Sequence, residues 1–348
     1  MSDRIEPLHT QPSSNWPVLG HDRVVRILAR ALQTGQVHHA YLFVGPSGIG
    51  RTTLAYALAS ALLCEAPLPE RPCGHCRACE RVARRVHPDV TRIALEQERE
   101  EAKLISIDQI REFRASLSLH PLEGAWRIAI VDDAQHLSRD AADALLKTLE
   151  EPPPYAVLIL IAEDAHALPE TIRSRCQIFH LSPLPSPVVE EALCRRGVSR
   201  ERAARIATLV RGRIAEAFRL AADEAALSRY EQQLAEVIAA MSEPLATIGF
   251  VRRLTEQYRR GKRVAVRQTL QLAAELWRDA LWLAADQAAP IAHEEARAAL
   301  QALARRRGLS GTLAALEATL QGLADLEANV QARLALDALA VIWTEQTP

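Results

Sequence analysis

The stretch His39–Thr53, HAYLFVGPSGIGRTT, constrains the fold more than any other. A short apolar run, Ala40–Val44, enters a turn carrying Gly45, Gly48 and Gly50, and Thr52 and Thr53 open an apolar helix. Strand, glycine turn and helix in that order set the free N–H groups and the positive dipole end of the helix at the strand tip, which suits phosphate. The template is the P-loop, G-x-x-x-x-G-K-[ST]. Gly45, Gly50 and Thr52 fit it, but the lysine position holds Arg51. The stretch predicts an α/β nucleotide site whose main phosphate contact is altered.

Further along, RIAIVDDAQHL (Arg127–Leu137) reads as a buried parallel strand ending in two carboxylates, Asp132 and Asp133. Ligands of open α/β sheets bind at that edge, and a strand-end aspartate can hold magnesium. Strand-end acids are also ordinary turn residues, so the pair gains weight only from the P-loop before it. The spacing predicts helices over Val18–Gly35, Thr52–Leu63, Ile107–Leu117 with Ser106 as N-cap, and Asp140–Glu150, which the prolines after Glu151 stop. Strands are expected at Asp89–Leu95, Tyr155–Ala162 and Ile178–Leu181, with a short arginine-ended helix at Leu168–Cys176 between the last two. Residues 1–16 read as a polar tail, and Glu96–Lys103 as an exposed loop.

Cys64, Cys73, Cys76 and Cys79 interrupt the pattern with the spacing C-x8-C-x2-C-x2-C in a proline-rich segment. Four thiolates this close can be tied by tetrahedral zinc, a closed set with no position left for catalysis; free reduced thiols are the alternative. Cys176 and Cys194 stand apart and read as core thiols.

Pro183, Pro185 and Pro187 mark a linker. The chain beyond is helical, with breaks at Gly197 and Gly212, first as a small lid-like piece and then as a bundle of about 120 residues. Leu313, Leu316, Leu320, Leu323 and Leu326, continued by Val330, Leu334 and Val341, form a stripe that must pack on other helices. A net charge of −1 excludes a general polyanion-coating role. Neither a signal peptide nor a membrane-spanning run is evident, so a cytoplasmic protein is expected. Only three lysines occur, Lys103, Lys147 and Lys262, against 42 basic residues. Arginine dominance can explain how Arg51 arose, but not how a planar guanidinium would do an ammonium's work.

HAYLFVGPSGIGRTTLA, the four-cysteine insert, VDDAQHLSRDAADALLKTLEEPPP, TIRSRC and ANVQARLALDAL together resemble the AAA+ clamp-loader subunits of bacterial DNA polymerase III, most nearly the delta-prime subfamily. The resemblance covers Val18 to Trp343. It implies a RecA-like P-loop domain with a zinc insert (residues 1–183, insert 64–79), a helical lid (184–224) and a C-terminal collar (225–348). It also implies gamma/tau and delta subunits as partners in a hetero-pentamer that loads a sliding clamp onto primed DNA.

Two functions compete under that resemblance: an ATP-hydrolysing motor of the gamma/tau kind, and a structural partner without turnover. Arg51 favours the second, as do Ala162 and Ala215, which stand where active relatives carry a γ-phosphate sensor and a lid arginine. Arg213 is a candidate substitute for the latter, on a different helix face. Asp132 keeps the magnesium position, while Asp133 replaces a glutamate base with a shorter acid. Binding of ATP with Mg2+ without hydrolysis stays open. Ser174-Arg175-Cys176 matches the family's SRC motif, whose arginine reaches a neighbour's ATP and can matter by ~10³–10⁵ in rate. The alternative is an arginine at a helix C-terminus. Glu150 and Glu151 read as solvated helix-end acids, and His87, His120 and His136 as structural.

Overall fold

The computed structural model describes residues 15–94, 104–289, 291–328 and 330–345. Most of the expected N-terminal tail, and the loop expected at Glu96–Lys103, lie outside these residues. The chain divides into two compact units. The first runs to Arg196 and takes in Gly212–Ala217; the second comprises Gly197–Arg211 and the chain from Phe218 onward.

The first unit is built on a parallel sheet of β1 (Ala40–Val44), β2 (Val90–Ile93), β3 (Arg127–Val131), β4 (Ala156–Ala162) and β5 (Gln177–His180), in the order β2-β3-β4-β1-β5. Parallel neighbours require crossovers. Helix α1 (Asp22–Gln33) precedes β1, and the crossovers carry α2 (Arg51–Leu63), α3 (Arg77–Ala83), α4 (Ile107–Leu117), α5 (Arg139–Glu150) and α6 (Glu170–Arg173).

Helices cover both faces, which is why β1, β3 and β4 are apolar without alternation. Tyr41, Phe43, Ile128, Ile130 and Ile159 pack on one face with Val25 and Leu28 of α1 and Leu54 and Leu58 of α2. Leu42, Val44, Ala129, Val131 and Leu158 pack on the other with Ile110 and Phe113 of α4 and Leu145 and Leu149 of α5. Ser106 caps α4 as its sequence suggests; the structure adds Gln109, which completes a capping box, and Ser138, which caps α5. This is a parallel α/β P-loop fold of the kind that the motifs imply. Helix α7 (Ser186–Cys194) follows in the same unit.

The second unit holds α8 (Arg200–Val210), α10 (Glu224–Ser242), α11 (Pro244–Arg259), α12 (Arg263–Ala285), α13 (Arg297–Glu327) and α14 (Ala332–Thr344); α9 (Ile214–Ala222) begins in the first unit. Its core gathers Phe250, Leu276, Trp277, Leu300 and Trp343. Helix α13 is interrupted at Gly308, whose φ of 67° glycine adopts without a Cβ penalty. Arg307 beside that break donates to the carbonyls of Ile342, Trp343 and Glu345, satisfying the C-terminal end of α14.

The leucine stripe divides. Leu326 is buried, and Leu316 and Leu323 pack partly against the core, while Leu313, Leu320, Val330, Leu334 and Val341 are exposed. Among the described residues no helix is long and apolar enough to cross a membrane.

Candidate nucleotide site, arginine and cysteine cluster

The P-loop forms as its sequence demands. Gly45 has φ 151°, and a Cβ there would meet the Leu181 carbonyl oxygen at 2.4 Å, so only glycine fits between β1 and β5. Gly48 has φ 80°, and the Arg213 side chain lies 3.4 Å from where its Cβ would be. Gly50 (φ 104°) is the N-cap of α2 and offers no side-chain cap. Among the described residues the amides from Ser47 to Thr53 donate to no protein acceptor. From the opposite side, the His21 Nε2 donates to the Ile49 carbonyl at 3.1 Å and holds the loop in place.

Arg51, at the lysine position, is buried to 7% exposure. Its Nη2 lies 3.8 Å from Glu163 Oε1, just past the end of β4, and its Nη1 is buried without a partner. Ala162, the last residue of β4, is fully buried beside Val44, so no polar side chain projects from that position. Arg213 precedes α9, which begins at Ile214, so a helix-face argument does not apply to it; its side chain packs against Gly48. Ala215 donates its amide to the Gly48 carbonyl at 3.0 Å.

Asp132, expected from its motif to hold magnesium, has a partner that the sequence did not suggest. Asp132 is 7% exposed at the tip of β3. Its Oδ2 accepts from the Thr52 hydroxyl at 3.2 Å, and from Arg92 Nη2 at 2.7 Å and Nε at 3.3 Å. Arg92 comes from the neighbouring strand β2, whose pairing with β3 sets Arg92 beside Ile130 and Ile93 beside Val131. Asp133 takes a left-handed conformation (φ 55°), and its amide donates to Asp132 Oδ1. Thr53 is exposed. With Asp132 Oδ2 already taken by the Thr52 hydroxyl and by the Arg92 guanidinium, the residues present do not fit a divalent cation.

Arg175 lies just beyond α6, with 36% of its side chain exposed. Its Nη1 donates to the Thr171 carbonyl at 2.9 Å and reaches the Ser174 hydroxyl at 3.4 Å; its Nη2 donates to Glu150 Oε1 at 2.9 Å. Glu150 is therefore more than a solvated helix-end acid: it clasps Arg175. Ser174 is exposed, and burial pushes the Cys176 thiol up to about 12, so it stays protonated.

The four cysteines of the insert converge. Their sulfurs all lie within 4.8 Å of one another, with Cys73–Cys79 and Cys64–Cys76 at 4.0 Å. Tetrahedral zinc with Zn–S of about 2.3 Å requires sulfurs about 3.8 Å apart, so the cluster fits. Cys76 caps α3 by accepting from the Cys79 amide, which ties the metal geometry to a helix start. Hydrogen bonding from the peptide amides, first that of His75, lowers the Cys73 thiol to about 6, whereas burial raises Cys79 to about 12.

Residues 20–185 match the family described as DNA polymerase III, delta subunit. The chain is 35% identical over 184 residues to the DNA polymerase III subunit tau of Escherichia coli, covering 53% of this chain and 28% of that one. It is 38% identical over 158 residues to subunit delta' of the same organism, covering 45% of this chain and 46% of that one. The chain thus spans less than half the length of these relatives. A solved gamma subunit-related protein from Thermotoga maritima is 19% identical with a TM-score of 0.43, covering 92% of this chain and 99% of that one. Over residues 20–185, the chain is thus similar to DNA polymerase III subunits of the delta, tau and delta' kinds.

Proposed function

We propose that the chain is a delta-prime-type clamp-loader subunit: a structural AAA+ partner that hydrolyses no ATP itself and supplies Arg175 to the ATP site of a neighbouring subunit. Its partners on this reading are gamma/tau and delta subunits in a hetero-pentamer, with the sliding clamp and primed DNA reached through the assembly. The likeness to tau and to delta' is nearly equal in identity, so relatedness does not choose between partner and motor. The observation that carries the choice is Arg51. In place of a lysine reaching the phosphates, a wide guanidinium is folded down and turned toward Glu163.

Arg175 in turn is partly exposed at a chain turn, held among the described residues by Glu150 and by local carbonyl and hydroxyl groups. An arginine reaching phosphoryl oxygens neutralises charge that develops during transfer. Released from Glu150, its planar fork can meet a neighbour's triphosphate. Cys64, Cys73, Cys76 and Cys79 hold structural zinc, which stabilises the insert and takes no part in chemistry. The helices over 184–224 serve as a lid, and those over 225–348 as the collar that joins the subunits.

The test is ATP turnover by the purified chain alone, for the wild type and Arg51→Lys. Both are expected to show no turnover above background, because restoring lysine leaves Arg92 on Asp132. Sustained hydrolysis by the wild type would instead support the motor reading.

A further inference from the structure

The carboxylate that would bind magnesium is already neutralised from within. Arg92 contacts Asp132 Oδ2 through both Nη2 and Nε, and Thr52 donates to the same oxygen. A P-loop site needs cationic charge where strand-end acid and phosphate meet; a divalent ion commonly supplies it. A guanidinium is a permanent cation with five donors in a flat fork. Two of Arg92's donors are spent on Asp132, its Nη1 makes no hydrogen bond among the described residues, and its side chain is 34% exposed.

We propose that Arg92 takes the place of the divalent cation, so that this P-loop binds the phosphate oxyanions of a polyphosphate without metal. Arg92 bridges Asp132 to the ligand as the ion would, through fixed donors in place of exchangeable coordination. The rest of the site is complete for an anion. The amides from Ser47 to Thr53 are free of protein acceptors among the described residues. Helix α2 presents its positive end there. Arg51, 7% exposed, adds a buried Nη1 with no partner. The carboxylates nearby are Asp132, Asp133 and Glu163; Arg92 answers the first and Arg51 faces the last. Without Arg92, metal-free phosphate would meet Asp132 unshielded. With Arg92 present, a divalent ion would have to displace a charged hydrogen bond at 2.7 Å.

The inference rests on the reading of the loop as non-hydrolytic, but its test does not involve Arg175 or any partner. Isothermal titration of the isolated full chain would use ATP and inorganic tripolyphosphate, each in EDTA and in excess Mg2+. Wild type is expected to bind ATP in EDTA at least as tightly as in Mg2+. Equal binding of tripolyphosphate would show that the phosphates alone are read, and binding of ATP only would show that the nucleoside is read as well; both support the proposal. Arg92→Ala is expected to weaken binding in EDTA by ~10–100-fold, the range for a hydrogen bond to a charged group, and to make binding Mg2+-dependent. Strict dependence on Mg2+ in the wild type overturns the proposal, as does no binding of either ligand in EDTA or an Arg92→Ala chain with an unchanged metal profile. Circular dichroism of the variant, expected to match wild type, separates a lost contact from a lost fold.

Discussion

Asp89→Asn is expected to loosen the whole β2 edge of the sheet. Asp89 is fully buried and accepts from the amides of Leu122 at 2.7 Å, Glu123 at 2.8 Å and Gly124 at 3.1 Å, and from Arg127 Nη1 at 3.0 Å. Its own carbonyl accepts from Ile128, pinning β2 to β3, and Arg92 follows three residues on. An asparagine keeps one acceptor oxygen and turns an amide donor toward peptide N–H groups. It also leaves Arg127, 8% exposed, without a counter-charge. Removing one partner of a buried pair costs about 3–5 kcal/mol, or a Tm lower by roughly 6–20 °C for a unit of this size.

Hydrogen exchange over residues 122–131 reads the loss locally, so the second unit does not mask it. Asp108→Asn is the control: its pair with Arg111 is exposed on both sides and should change stability by no more than ~0.5 kcal/mol. A cost for Asp89→Asn below about 1 kcal/mol, in the range of surface changes, would refute the account of Asp89 as a hub.

Stability should also fall with acid for a reason located in Asp89. Burial raises its pKa, but the amides of Leu122, Glu123 and Gly124 and the Arg127 charge more than reverse that, leaving it below the ordinary 3.8. A depressed folded pKa contributes stability at neutral pH that is lost as pH falls through it; Asp89→Asn should flatten that acid limb, and an unchanged limb in urea titrations at several pH values would contradict it. The cysteine cluster should carry about one zinc per chain by elemental analysis, and Cys76→Ser should lose it and destabilise α3; a metal-free, stably folded wild type would count against zinc. Glu150→Ala breaks a surface pair between an exposed acid and a partly exposed arginine, worth ~0–1 kcal/mol. It should leave stability nearly unchanged and raise turnover of the assembled loader by at most ~5-fold as Arg175 is released; a fall in turnover would mean that Glu150 assists the finger.

What could be read from the sequence was what is local along the chain. The strand–glycine–helix run, the capping of α4 by Ser106, the stop of α5 and the cysteine cluster all depend on neighbours close along the chain. The contacts that decide the chemistry join distant residues. Arg92 and Asp132 are 40 residues apart and meet only because β2 and β3 pair in one register. Glu150 and Arg175 are 25 apart and meet where the ends of α5 and α6 come together. No periodicity announces either pair.

Arg213 lies just ahead of α9 rather than on one of its faces, because its place depends on where that helix begins. The leucine stripe showed an apolar face but not that only part of it turns inward. The cysteine spacing pointed to the cluster, and the packing of the end of α2 beside the start of α3 brings the four sulfurs together.

On the proposed reading, Arg175 works on a neighbour's nucleotide. ATP turnover by the assembled loader carrying Arg175→Ala in this subunit alone measures it most directly. The account predicts a fall of the neighbouring site's hydrolysis by ~10³-fold or more, with the subunit folded and incorporated as before. A loader that hydrolyses ATP at the wild-type rate with that variant in place would contradict it.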